Sequence, residues 1–171
     1  DFPTAEPVLK AAARALEEGA MRYTPALGLP ALREAVSEHY RARFGLDVPA
    51  SRIVITAGAS GALLLACAAL IERDSEVLMP DPSYPCNRHF VAAFEGHAMM
   101  IPSGPAERFQ LTAQQVASHW TDQTSGVLLA SPSNPTGTSI TPDELARIVN
   151  EVREKGGFTL VDEIYQGLSY D

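Results

Sequence analysis

The sequence predicts a three-layer α/β/α fold with a mostly parallel sheet. Short apolar segments alternate along the chain with longer segments of helical pattern, which is the arrangement typical of βα units. Most of the short segments are apolar throughout, as expected for strands that are buried on both faces of a sheet. No internal repeat, linker or charge run interrupts the 171 residues, so we expect no domain boundary within them.

Capping residues and glycines set the limits of the expected helices. Thr4, Thr112 and Thr141 are each placed to cap a helix. Glu144 follows Thr141 at the capping-box spacing. The expected helices cover residues 5–18, a segment from near Pro30 to before Gly45, and residues 58–71, 84–95, 112–119 and 142–155.

The expected strands alternate with these helices from the second helix onwards. They cover residues 52–56, 76–79, 97–101, 126–130 and 158–162. Because open α/β sheets bind ligands beyond the carboxyl ends of their strands, the residues that follow each strand are the first candidates for a site.

The last apolar run leads directly into Asp162. A carboxylate at the end of a buried strand is a suitable partner for a positively charged ligand atom. The alternative interpretation of an isolated Asp here is a helix cap or a surface acid at a strand–loop junction.

The segment 56–61 follows the first expected strand and contains Gly58, Ala59, Ser60 and Gly61. Small residues allow close approach of a ligand, and backbone N–H groups at a helix start together with the Ser60 hydroxyl suit a phosphate. The spacing is neither the dinucleotide fingerprint nor the Walker loop. A plain Gly/Ser turn is the alternative.

Two further segments follow expected strands. In the segment 131–137, Pro135 favours an extended Asn134, whose amide can hold a phenolic oxygen without titrating. An ordinary turn is the alternative, since Asn-Pro and Thr-Gly both form turns. Tyr84, in the segment 81–85, could stack on a flat ring or could anchor the helix that follows.

A phosphate cradle, a stacking aromatic, an amide and a carboxylate together suit a flat, phosphorylated, basic heteroaromatic, and pyridoxal 5′-phosphate (PLP) is such a molecule. The chain resembles the class I/II aminotransferases of fold type I over nearly its whole length. The resemblance depends on the joint order and spacing of several motifs, which lie at residues 1–4, 23–25 with Gly28, 32–35, 58–60, 81–85, 133–137 and 162–165.

The resemblance implies contacts with the cofactor ring. Asp162 would pair with the pyridine nitrogen and keep it protonated, because a nearby anion favours the charged form of a base. Tyr165 and Asn134 would hold the phenolic oxygen of the ring. Tyr84 would stack on the ring face.

The resemblance also implies a phosphate site and a homodimer. Gly58, Ala59 and Ser60 would surround the phosphate, with two backbone amides and the Ser60 hydroxyl as donors. Tyr23 would reach the phosphate of the neighbouring subunit's cofactor, so that two chains build each site.

The activity implied by the resemblance is the transfer of an amino group between an amino acid and a 2-oxo acid. In the family the Schiff-base lysine lies downstream of the Asp162 motif, and Lys10 and Lys155 fall in expected helices with solvated surroundings. No catalytic residue is therefore assigned within this chain. We expect residues 1–171 to be part of the large PLP-binding domain, without the N-terminal arm, the Schiff-base segment or the small C-terminal domain, and to be inactive alone.

Two alternatives fit the same residues. A PLP-dependent C–S lyase or synthase of this fold would share every cofactor contact named above. A non-catalytic PLP domain of a transcriptional regulator is an alternative of another class, which the acidic balance does not settle because its DNA-binding part would lie outside this sequence.

The composition limits the partners. A net charge of −8 without a Lys/Arg cluster argues against nucleic acid or an anionic membrane surface. The longest apolar run, residues 62–71, is about half of the roughly 20 residues that a membrane span needs. The two cysteines and the scattered histidines lack metal-ligand spacing. We expect a cytoplasmic protein with small-molecule substrates and no metal.

Overall fold

The computed structural model describes residues 2–168. They form two compact units, of which the first ends at Thr56 and the second begins at Ala57. Of the motif at residues 1–4, Asp1 lies outside the described residues. The assignment of both units to one PLP-binding domain stays a prediction.

The first unit contains the two helices that the sequence predicts. Helix α1 covers Glu6–Glu17 and helix α2 covers Pro30–Phe44. The prediction that Thr4 caps α1 is wrong. Ala5 occupies the N-cap, because it is the residue whose backbone is not yet helical and whose carbonyl accepts the first hydrogen bond, from Val8 N–H at 3.0 Å.

The predicted strand over residues 52–56 is not a strand in the described structure. The segment is extended at Ile53, but two of its backbone groups form hydrogen bonds with a side chain and a loop and not with a strand. Arg33 Nε donates to the Ile53 carbonyl at 2.8 Å, and Ile55 N–H donates to the Leu27 carbonyl at 3.1 Å. A side chain and a loop therefore hold this apolar segment within the first unit.

The second unit contains a parallel sheet. Within the described residues four parallel strands form it, in the order β2-β1-β3-β4. Strand β1 covers Glu76–Asp81, β2 covers His97–Pro102, β3 covers Thr124–Ala130 and β4 covers Phe158–Asp162. All four strands were predicted, and their parallel arrangement is confirmed.

Helices cover both faces of this sheet. They are α3 over Gly58–Leu70, α4 over Cys86–Ala92, α5 over Ala113–His119 and α6 over Pro142–Glu154. Alternate residues of β3 belong to different core clusters: Val127 packs in the cluster that contains Val116 of α5 and Ile148 of α6. Leu128 packs in the cluster that contains Cys67 of α3. The predicted three-layer α/β/α architecture is confirmed in this unit.

The start of α4 differs from the prediction, and α6 begins at Pro142 as predicted but without the predicted capping box. Helix α4 begins at Cys86 with Pro85 at its N-cap, so Tyr84 remains in the loop that follows β1. For α6, the Thr141 hydroxyl accepts from Glu144 N–H at 3.3 Å as predicted. The Glu144 carboxylate does not complete a capping box but accepts from Ala113 N–H at 2.7 Å, which joins the start of α5 to α6.

Strands β3 and β4 approach each other closely at Gly126. This residue lies opposite Phe158 in the register. A Cβ atom at position 126 would lie 2.5 Å from the Phe158 carbonyl oxygen and 2.6 Å from the Phe158 ring. The pairing of the two strands therefore depends on the absence of a side chain at this position.

Candidate cofactor site

A pocket lies beyond the carboxyl ends of the parallel strands, entirely within the second unit. Six of the predicted site residues line it: Ala59, Ser60, Tyr84, Asn134, Asp162 and Tyr165. Four segments that are far apart in the sequence contribute these side chains. The fold thus brings together the carboxylate, the amide, both phenols and the start of α3.

Asp162 is the last residue of β4 and is partly buried. Its Oδ1 accepts a hydrogen bond from Ile164 N–H at 3.1 Å. Its backbone carbonyl accepts from Ser131 N–H at 3.0 Å, which ties the end of β4 to the residue after β3. The carboxylate therefore has a fixed orientation at the sheet edge, and it caps a turn rather than a helix.

Asn134 lies in the loop 131–140, which closes on itself. Ser133 N–H donates to the Thr138 carbonyl at 2.9 Å, and Ile140 N–H donates to the Ser131 hydroxyl at 3.0 Å. These two bonds join the outgoing and returning arms of the loop. Asn134 is thus held in a compact loop, with its side chain at the wall of the pocket.

The start of helix α3 forms another wall. Gly58, its first residue, has φ of +73°, a backbone conformation that favours glycine. The N-cap residue is Ala57, whose side chain cannot accept a hydrogen bond. Ala59 and Ser60 line the pocket in the first turn. A helix N-terminus favours an anion through its backbone N–H groups and its dipole.

Tyr84 has a perturbed phenol. A hydrogen bond with the Cys86 thiol is the largest cause that raises the pKa of Tyr84 above its ordinary value, and the proximity of Tyr165 and Asp162 contributes less. The phenol therefore stays neutral across the physiological pH range.

We expect Cys86→Ala to lower the pKa of Tyr84 toward its ordinary value of about 10. Titration of tyrosinate absorbance, with Tyr84→Phe to assign the signal, measures this. Cys67→Ala, which removes the buried thiol of α3, is the control and should leave the titration unchanged. The protonated Tyr84 phenol stabilises the folded protein through its contact with Cys86. Because the folded-state pKa of Tyr84 is raised, this stabilisation is present below about pH 10 and is lost as the pH rises through the folded-state pKa.

Sequence reasoning missed the apolar part of the pocket. Leu63, Ala130, Pro132 and Ile164 also line it. Leu63 follows Ala59 by one helical turn, and the other three lie at or just beyond the ends of β3 and β4. Their positions relative to the predicted residues are the signal that would have identified them.

Tyr23 belongs to the first unit, where its side chain is fully exposed. Its contact with a neighbouring subunit's cofactor stays a prediction. Within residues 2–168, no group of three or more His, Cys, Asp or Glu side chains is placed to bind a metal ion. No helix of the same described part is both long enough and apolar enough to cross a membrane.

A parallel sheet between two helical layers, with a pocket beyond its strand ends, defines an α/β protein whose pocket lies where open α/β sheets generally bind their ligands. Sequence comparison identifies the family. The family model described as aminotransferase class I and II matches residues 1–171. The chain belongs to the class I and II aminotransferase family.

Individual relatives agree with this assignment. The valine–pyruvate aminotransferase of Mycobacterium tuberculosis is 43% identical over 96% of this chain and 42% of its own length. The aspartate aminotransferase of Pyrococcus horikoshii is 34% identical over 100% of this chain and 44% of its own length. The chain therefore spans less than half the length of these curated relatives.

Solved structures share the fold. A crystal structure of an aminotransferase from Mycobacterium tuberculosis matches with a TM-score of 0.94 and 42% identity, over 99% of this chain and 44% of that one. An aspartate aminotransferase from Thermus thermophilus with maleate matches with a TM-score of 0.94 and 32% identity, over 100% of this chain and 45% of that one.

Proposed function

We propose that this chain is part of the large cofactor-binding domain of a PLP-dependent aminotransferase, which moves an amino group between an amino acid and a 2-oxo acid. The observation that supports this most directly is that Asp162, Asn134 and Tyr84 line one pocket at the sheet edge. Membership in the aminotransferase family supports the same conclusion.

The polar and aromatic groups of the pocket fit PLP. A carboxylate suits a protonated pyridine nitrogen, and an amide with a phenol suits the phenolic oxygen of the ring. A second phenol offers an aromatic face, and the start of α3 offers backbone N–H groups to a phosphate. When bound, PLP supplies an electron sink for the electrons of the bond that breaks at the substrate's α-carbon.

Asp162 would hold a proton on the ring nitrogen. An anion close to a basic nitrogen favours the cationic form and raises the pKa of that nitrogen. The Ile164 N–H bond orients Asp162 Oδ1, and within the described residues Oδ2 has no protein partner, so it is available to accept from the ring. The hydrogen bond from Ser131 N–H to the Asp162 carbonyl fixes the end of β4 and therefore the position of this carboxylate.

Asn134 and Tyr165 would both donate hydrogen bonds to the phenolic oxygen of the ring. The amide of Asn134 does not titrate, and it therefore donates at every working pH. Tyr84 would cover one face of the ring, and its raised pKa keeps a charge off that face. The first turn of α3, with Ala59 and the Ser60 hydroxyl, would bind the phosphate.

The remaining parts of the proposal concern the whole protein. A lysine outside residues 1–171 would bind the cofactor covalently. Tyr23 would reach the cofactor of a second subunit in a homodimer, and the protein would act in the cytoplasm on small-molecule substrates.

Borohydride reduction in the presence of PLP tests the proposal. We expect the full-length protein to be labelled stoichiometrically at one lysine outside residues 1–171, and the 171-residue chain alone to take no specific label. Peptide mapping locates the label. Complete labelling of Lys10 or Lys155 in the isolated chain would contradict the assignment of the lysine.

An activity assay of the full-length protein separates the aminotransferase from the C–S lyase. Release of pyruvate and ammonia in place of amino transfer would indicate the lyase.

A further inference from the structure

The loop that contains Asn134 is anchored at its base by one buried side chain from a different part of the chain. Gln110 is only 3% exposed. Its Nε2 lies 3.1 Å from the Ala130 carbonyl oxygen and 2.9 Å from the Thr138 carbonyl oxygen. The same nitrogen is 3.3 Å from Thr138 Oγ1.

The chemistry of the amide matches these partners. The Gln110 amide has two N–H donors, and two backbone carbonyls face them. Ala130 is the last residue of β3 and lies opposite Asp162 in the strand register. Thr138 lies in the returning arm of the loop 131–140. A single amide therefore holds both arms of the loop together.

This anchor reaches Asn134 through one further bond. The Thr138 carbonyl that accepts from Gln110 also accepts from Ser133 N–H at 2.9 Å. Ser133 is 5% exposed and directly precedes Asn134. The backbone next to Asn134 thus depends on where Thr138 lies, and Thr138 depends on the Gln110 amide.

The backbone that leads to Gln110 is strained. Arg108 and Phe109 have φ of +54° and +57°, which is unfavourable for residues with side chains. Two such residues in succession turn the chain tightly, and Phe109 N–H donates to the Gly104 carbonyl at 2.8 Å. Strain of this kind persists where the surroundings demand it, often beside functional sites.

We propose that Gln110 is a positioning residue of the cofactor site, which sets the place of the Asn134 amide through Thr138 and Ser133. The effect on cofactor binding rests on the proposed function. The anchoring of the loop does not, because it involves only residues of this chain. The two parts are tested by separate measurements.

Gln110→Met in the full-length protein keeps the length and burial of the side chain but removes both donors. Without added cofactor, we expect amide hydrogen exchange to become faster in residues 131–140 and to stay unchanged in α3. Gln114→Met, at an exposed position of α5, is the matched control. Equal exchange of the loop in the two variants would overturn the anchoring role.

A double-mutant cycle tests the effect on the cofactor. Equilibrium titration of the apoprotein with PLP gives the dissociation constant. We expect Gln110→Met to raise it about tenfold, the factor that corresponds to losing about one hydrogen bond between a misplaced Asn134 amide and the cofactor. In the Asn134→Ala background the same change should raise it less than about twofold, because the residue through which Gln110 acts is already removed. An equal factor in both backgrounds would mean general loosening and would overturn the positioning role.

A milder variant covers the case in which Gln110→Met does not fold. Gln110→Asn keeps the amide but shortens the side chain by one methylene, so the amide cannot reach both carbonyls. We expect this variant to show the same faster exchange in residues 131–140 and the same dependence of PLP binding on Asn134. If the unmodified protein fails to bind PLP, the proposed function and the cofactor half of this inference both fail. The exchange experiment then decides the anchoring half alone.

Discussion

Asp162→Asn in the full-length protein is expected to lower kcat/KM for amino transfer by about a thousandfold, the upper end of what the loss of one preorganised electrostatic contact costs. The substitution keeps the shape of the side chain and an oxygen that can accept from Ile164 N–H. It removes the negative charge that favours a protonated ring nitrogen. The loss should therefore appear in catalysis, with little change in folding.

Steady-state kinetics and a thermal denaturation curve measure these two effects separately. Glu163→Gln makes the same charge change at the next residue, which is exposed, and should alter kcat/KM less than about twofold because exposed charges are screened. An Asp162→Asn enzyme within about tenfold of the unmodified rate would refute the proposed role of this carboxylate.

Gly126→Ala is expected to destabilise the protein by about 3 kcal/mol, the upper range for an overpacked site. The new methyl group would lie 2.5 Å from the Phe158 carbonyl oxygen. A backbone atom cannot move aside as a flexible side chain can, so β3 and β4 must separate locally. Because β4 ends in Asp162, the same change should weaken PLP binding. Urea denaturation and cofactor titration measure the two effects.

Gly104→Ala is the matched control for this substitution. A Cβ atom there would meet only Glu107 Oε2, the end of a side chain, at 3.4 Å. The backbone at Gly104 has φ of −92°, which alanine adopts readily. We expect stability to remain within about 0.5 kcal/mol of the original protein. A Gly126→Ala protein as stable as this control would contradict the close packing of β3 on β4.

Local sequence patterns predicted the sheet and the polar part of the site well. Each of the four strands is a short apolar run between helical segments, and a strand end fixes where the next residue lies. Asp162 and Asn134 were identifiable because their residue types suit a basic, phenolic ligand and because they lie at the end of β4 and in the loop after β3. In a parallel sheet the carboxyl ends of all strands lie at one edge, so the parallel arrangement alone predicts that the two residues lie at one pocket.

What the sequence did not predict depends on distant partners. The segment 52–56 has strong β propensity, but Ile53 and Ile55 form hydrogen bonds with Arg33 and Leu27, and propensity does not specify partners. Glu144 has a local capping role by its spacing, and the structure uses its carboxylate for Ala113, 31 positions away. Gln110 has no local signal at all.

The connection made by Gln110 also matters for protein engineering. The Asn134 loop is an attractive unit to graft onto another scaffold, because its own hydrogen bonds make it look self-contained. Its base, however, is completed by an amide that is encoded 20 positions before Ala130. A transplant of residues 131–140 that leaves position 110 behind would bring the side chain of Asn134 without the support that aims it.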